Sequence, residues 1–144
     1  MLPRAAIPVH GTGRVRRLLL VGVPAAATEL PAGAFGDGAA LQAAVDAWVA
    51  DPATAEATHG SISGWDTSRV DDMSGCWCSP TWDGFFPSGF DAQIGGWDTS
   101  KVTNMEKTFA NAKAFNQPLD WDTSKVTTMR DTFWSADAFN SELA

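Results

Sequence analysis

The sequence predicts an α/β solenoid: a short right-handed coil of about three 24-residue repeats with an N-terminal capping helix. Three observations predict it. Near-identical hexapeptides begin at Trp65 (WDTSRV), Trp97 (WDTSKV) and Trp121 (WDTSKV). Each is followed by a Met eight residues after its Trp (Met73, Met105, Met129) and an aromatic residue twelve after it (Trp77, Phe109, Phe133). One amphipathic segment precedes the first copy. Self-similarity at a fixed period marks repeat architectures, and such arrays build extended surfaces rather than pockets.

Residues 1–36 read as a disordered or targeting tail. The first 28 residues hold Arg4, Arg14, Arg16 and Arg17 and no acid, and Pro and Gly interrupt them repeatedly. The order of Arg14–Arg17, an apolar run from Leu18 and then Ala25–Ala27 is that of a leader peptide. The apolar run is far shorter than the roughly 20 residues of a transmembrane helix, so no transmembrane segment is expected.

Residues 37–63 read as a capping helix and linker. Leu41, Ala44, Val45, Trp48 and Val49 fall on one helical stripe, with Asp37 suited to the N-cap and Pro52 to the stop. Asp51 to Ser63 lacks apolar periodicity and reads as linker.

The repeats occupy residues 64–144. Within each, Val102, Met105 and Phe109, and likewise Val126, Met129 and Phe133, sit three and four apart, the spacing of a short helical turn. Phe115, Leu119 and Trp121 alternate as in a short strand, although Pro118 limits any ladder. A strand and a helical turn in about 24 residues match a leucine-rich-repeat coil. The first two Trp residues are 32 apart rather than 24, because an insertion of seven residues falls within about residues 78–89 and the stretch from Phe90 to Trp97 is one residue longer than that from Phe115 to Trp121. An inserted loop in one repeat often marks the recognising face. Trp82, Phe85 and Phe86 are therefore the candidate binding residues.

The pattern W-D-T-S-K-V-T-N-M-x-x-x-F-x-x-A-x-x-F-N-Q-P-L, over about residues 37–144, resembles the repeat of BspA-like surface proteins, also known as a repeat domain of unknown function in mycoplasma lipoproteins. The resemblance implies a leucine-rich-repeat relative that is secreted or attached to the cell surface and engaged in adhesion or protein binding. It implies no catalytic residues.

Each side-chain row has a structural reading and a functional one. Trp65, Trp97 and Trp121, Met73, Met105 and Met129, and Trp77, Phe109 and Phe133 are assigned to inward core rows, since a coil needs such rows to bury its face. A surface stacking ladder is the alternative for the Trp row. Asp66, Asp98 and Asp122 are assigned to turn fixing, with a calcium site as the alternative. Asp91, Asn116 and Asn140 are assigned to a structural polar ladder. Cys76 and Cys78 are too few for a zinc site and too close for a relaxed disulfide. No metal or cofactor is expected.

Function follows from the same features. Residues 29–144 hold six basic and all 17 acidic residues, a net charge of −11, which repels phosphate backbones and argues against nucleic acid. No nucleophile elbow, phosphate loop or metal-binding helix motif occurs, so an enzyme is not expected. The expected function is a non-catalytic module for protein–protein binding or cell-surface adhesion, with an unidentified protein partner. The alternatives are an assembly unit that self-associates end to end through an uncapped C-terminal coil and a fragment of a longer array. Both are suggested by the position of Ala144, where a fourth Trp-Asp-Thr-Ser would begin.

Overall fold

A computed structural model describes residues 29–75 and 83–143. Among them are two short α-helices, α1 (Gly38–Ala50) and α2 (Pro52–His59), and one 3₁₀ turn, Ile62–Gly64. There is no strand among the described residues; strand-type pairing between neighbouring tiers is limited to isolated parallel bridges. The expected α/β solenoid is therefore corrected. The repeats are stacked, but each is a tier of irregular turns, neither helix nor strand.

The reason lies in the backbone. Lys107, Asn111, Asp131 and Ser135 all have positive φ, between 54° and 59°. They recur at intervals of four within a tier and 24 between tiers. A left-handed residue every fourth position breaks any α-helix, so the spacing of Val102, Met105 and Phe109 does not make a helical turn. The amides divide into two sets instead. Those of Met105, Lys107, Phe109 and Asn111 donate across to the carbonyls of Thr128, Arg130, Thr132 and Trp134 at 2.8–2.9 Å. Those of Thr108, Ala110 and Ala112 turn back to the carbonyls of Met105, Lys107 and Phe109 at 3.0–3.3 Å. The strand expected around Phe115–Trp121 reduces to one bridge, Leu119 to Leu143. Pro118 has no amide to give, and the ladder there passes through side chains. Asp91 Oδ1 accepts from the Asn116 amide at 2.9 Å, and Asn116 Oδ1 from the Asn140 amide at 2.8 Å.

α1 begins where Asp37 accepts the Ala40 amide at 2.8 Å. It buries Leu41, Ala44 and Val45 against the first tier. Asp51 ends it in an extended conformation, as a residue before proline must. The same residue opens α2, accepting the Thr54 amide at 3.3 Å with Pro52 in the first turn. The supposed linker is thus partly helical. Residues 31–35, assigned above to the tail, also pack. Phe35 is buried, donates its amide to the Asp66 carbonyl at 3.0 Å, and lies 5.0 Å from the Trp65 ring.

The core is a set of aromatic columns. Trp65 and Trp97 are buried and stack at 6.0 Å and 14°. Each tier also supplies a phenylalanine pair: Phe86–Phe90 at 4.6 Å, Phe109–Phe115 at 4.5 Å and Phe133–Phe139 at 4.5 Å. Phe86 stacks on Phe109 at 4.7 Å, and Phe109 on Phe133 at 5.2 Å. Phe86, not Trp77, therefore stands over Phe109 in that row; Trp77 itself lies outside the described residues. Met73 and Met105 are buried, whereas Met129 is 47% exposed, which corrects its place in the core.

Two mutations test this packing. Phe86→Ala should lower the unfolding free energy in urea titration by about 3–5 kcal/mol, the usual cost of deleting a buried phenyl ring. Ser135→Gly should raise it by roughly 1 kcal/mol by relieving the left-handed backbone, whereas Ser135→Val should lower it.

Candidate functional site

The hexapeptide has a mechanical job in every tier. The Trp points inward and its indole N–H reaches the preceding layer: Trp65 to the Gly60 carbonyl (3.0 Å), Trp97 to Ile62 (2.8 Å) and Trp121 to Ile94 (3.0 Å). The Asp carboxylate accepts the amide of the Ser two residues on, at 2.9–3.0 Å in all three tiers. The Thr carbonyl accepts the Val amide at 2.9–3.0 Å, closing the turn. The Thr hydroxyl donates forward, Thr67 to the Asp98 carbonyl at 3.0 Å and Thr99 to that of Asp122 at 3.2 Å.

The serine hydroxyls, then the serine amides, hold the carboxyls of Asp66, Asp98 and Asp122 below their ordinary value. The Asp row therefore fixes turns. Among the described residues no three His, Cys, Asp or Glu side chains gather in one place. Cys76 and Cys78 lie outside the described residues.

The residues singled out for binding are placed differently from expectation. Trp82 lies outside the described residues. Phe85 and Phe86 are 2% and 0% exposed, so the expectation that the insertion presents them to a partner is corrected. The Phe85 carbonyl accepts from Gln42 Nε2 of α1, and the Phe86 amide donates to the Thr108 carbonyl at 3.0 Å. Their rings replace core that a shorter repeat fills with its own. The base of the insertion is a tight neck. A Cβ on Gly84 would lie 2.0 Å from the Lys107 carbonyl oxygen, and one on Gly75 would lie 2.6 Å from the Gly84 Cα.

Exposed apolar surface gathers elsewhere. Met129 (47%), Trp134 (49%) and Leu143 (57%) are three of the four exposed large apolar side chains among the described residues. Met129 and Leu143, with Phe109, Trp121, Thr123 and Phe133, line a hollow of about 120 Å³. Thr123, Met129, Phe133 and Leu143 put this hollow at the outer face of the third tier, the side turned away from the second, with Phe109 of the second tier beneath it. Thr67 and Thr99 are buried under the next tier, but Thr123 is exposed. Sequence reasoning expected an exposed end here but assigned Met129 to the core, because it carries the same pattern as the buried Met73 and Met105.

A family model described as a mycoplasma protein of unknown function, DUF285, matches residues 47–144, from within α1 through all three tiers. The chain belongs to this family. No curated protein and no solved structure matches it. Among the described residues, no helix of this DUF285 member is long and apolar enough to cross a membrane.

The Asp row predicts an acid limit. These carboxyls ionise more readily folded than unfolded, so their stabilisation is complete above the ordinary 3.8 and is lost as pH falls through the lower folded values. Thermal stability should be level above about pH 5 in this respect and fall below 3.8, and Asp98→Asn should show a shallower fall.

Proposed function

We propose that the chain is a non-catalytic protein-binding module that takes its partner on the outer face of the third tier. The observation that carries this is the exposure of Met129 and Leu143 at the hollow on that face, with Trp134 exposed in the same tier. Contiguous exposed apolar surface marks interaction sites, and Trp is prominent among residues that dominate binding energy. The net charge of −11 over residues 29–144 favours a protein partner over nucleic acid.

The resemblance of the repeats to those of BspA-like surface proteins supports an extracellular or cell-surface location and a part in adhesion. End-to-end stacking of identical copies is a weaker reading. The opposite end of the stack, against the first tier, is already occupied: Asp66 donates to the Gly33 carbonyl at 2.7 Å, and Trp65 to Gly60 at 3.0 Å.

The test introduces two charges into the exposed apolar surface. Met129→Glu with Trp134→Glu should leave the melting temperature within a few degrees of the parent. It should weaken capture of a specific partner by about 30-fold or more, the loss expected when side chains that dominate binding are removed. Undiminished capture would place the binding surface elsewhere.

A further inference from the structure

A second hollow, of about 350 Å³, is lined by Ser63, Gln93, Gly95, Gly96, Gln117 and Pro118. These residues lead into three successive hexapeptides, so the hollow lies on the side of the stack and not at either end. Its volume falls in the range of small-molecule sites, about 300–1,000 Å³. No charged residue is among them, although residues 29–144 carry a net charge of −11. The floor is a turn: the Trp97 amide donates to the Ile94 carbonyl at 3.1 Å and closes Gly95 and Gly96 between them.

The two glycines stand there for different reasons. Gly95 is imposed by packing, since a Cβ on it would lie 2.5 Å from the Pro118 carbonyl oxygen. Gly96 is not. Its φ is not positive, and a Cβ on it would meet nothing within 4 Å. The repeat does not require glycine at this place either, because the residue before Trp121 is Asp120. A glycine whose conformation any residue could adopt lowers stability, since a side chain there would restrict the unfolded chain. What Gly96 supplies is access: where no Cβ stands, a ligand approaches the backbone closely. Polar groups are available at that spot. The backbone amides of Gln93, Gly95 and Gly96 have no acceptor among the described residues, and the Gln93 side chain is exposed. Gln117 is held by donating its Nε2 to Asp91 Oδ1 at 3.0 Å, which leaves its side-chain carbonyl as an acceptor.

This set of groups selects its ligand. An apolar molecule would cover these donors without pairing them, which is unfavourable. An anion would meet the field of an acidic protein, and a cation would find no carboxylate in the lining. A polypeptide adds by a ladder along a strand edge, and no ladder can run here, because Gly95 and Gly96 are the middle of a turn and Pro118 has no N–H. What fits is a neutral molecule whose donors and acceptors lie close together beside an apolar edge. We infer that the hollow binds a neutral sugar ring. Its hydroxyls, each both donor and acceptor, meet the carboxamides of Gln93 and Gln117 and the glycine amides. Its C–H face rests on Pro118 and the Gly95–Gly96 backbone. This site is separate from the outer face of the third tier and does not depend on the reading given for that face.

Residue-resolved NMR titration of the full chain tests the assignment. The neutral probes are glucose, galactose, mannose, N-acetylglucosamine and cellobiose; glucuronate and N-acetyl-alanylalanine amide are the anionic and peptide controls. At least one neutral probe should produce saturable shifts in the backbone amides of Gly95 and Gly96 and the side-chain amides of Gln93 and Gln117, and the controls should not. In Gly96→Leu, which fills the hollow, those shifts should be lost while the melting temperature is not lowered. Gln93→Ala, at an exposed position, should also lose them. The assignment is overturned if no neutral probe gives saturable shifts at these residues, or if the peptide or glucuronate shifts them equally. Shifts that persist unchanged in both variants overturn it as well. If Gly96→Leu melts below its parent, Gln93→Ala alone decides, and unchanged shifts in it overturn the site.

Discussion

Every second backbone amide between Met105 and Asn111 leaves its own tier, and the rest of the repeat is arranged around that fact. The amides between them turn back, as Thr108 to Met105 and Ala112 to Phe109, each closing a turn in which the preceding residue, Lys107 or Asn111, is left-handed. The bend sets the rise from tier to tier, and the rise sets the stacking of the rings. Phe109 and Phe133 lie parallel at 5.2 Å because the peptide planes that carry them are joined edge to edge. The buried threonines belong to the same system. Thr108 and Thr132 direct their hydroxyls to the carbonyls of Met73 and Met105 at 2.8–2.9 Å, which keeps these buried groups satisfied.

The period of the repeat was legible in the sequence, and so was α1, because both are written in apolar spacing. The internal form of the tier was not. Val102, Met105 and Phe109 carry a helical spacing, but apolar spacing reports which residues face inward and not which backbone path brings them there. The decisive residues, Lys107, Asn111, Asp131 and Ser135, share no side-chain type that announces positive φ. α2 was legible in Asp51-Pro52-Ala53-Thr54, a capping sequence with proline in the first turn. It went unread because α2 buries only Ala55 and so has no stripe.

The candidate site shows the same limit more sharply. Phe85 and Phe86 look like recognition residues when counted as an insertion. In space they are core, because Phe86 completes the column over Phe109 and Phe133. Met129 looks like core when counted by period and is surface, because position in the stack decides burial where every tier has the same pattern. A repeat sequence specifies the tier; only the stacking order specifies which tier meets solvent.

The crossing of Gly75 and Gly84 over the Lys107 carbonyl closes the first tier before the segment between them begins. Whatever that segment contains, its two ends are pinned to the same point of the backbone. The cost of closing it grows slowly with its length, about 0.6 kcal/mol for each doubling. A change between Gly75 and Gly84 must preserve this neck for the aromatic columns and the tier register to remain as they are.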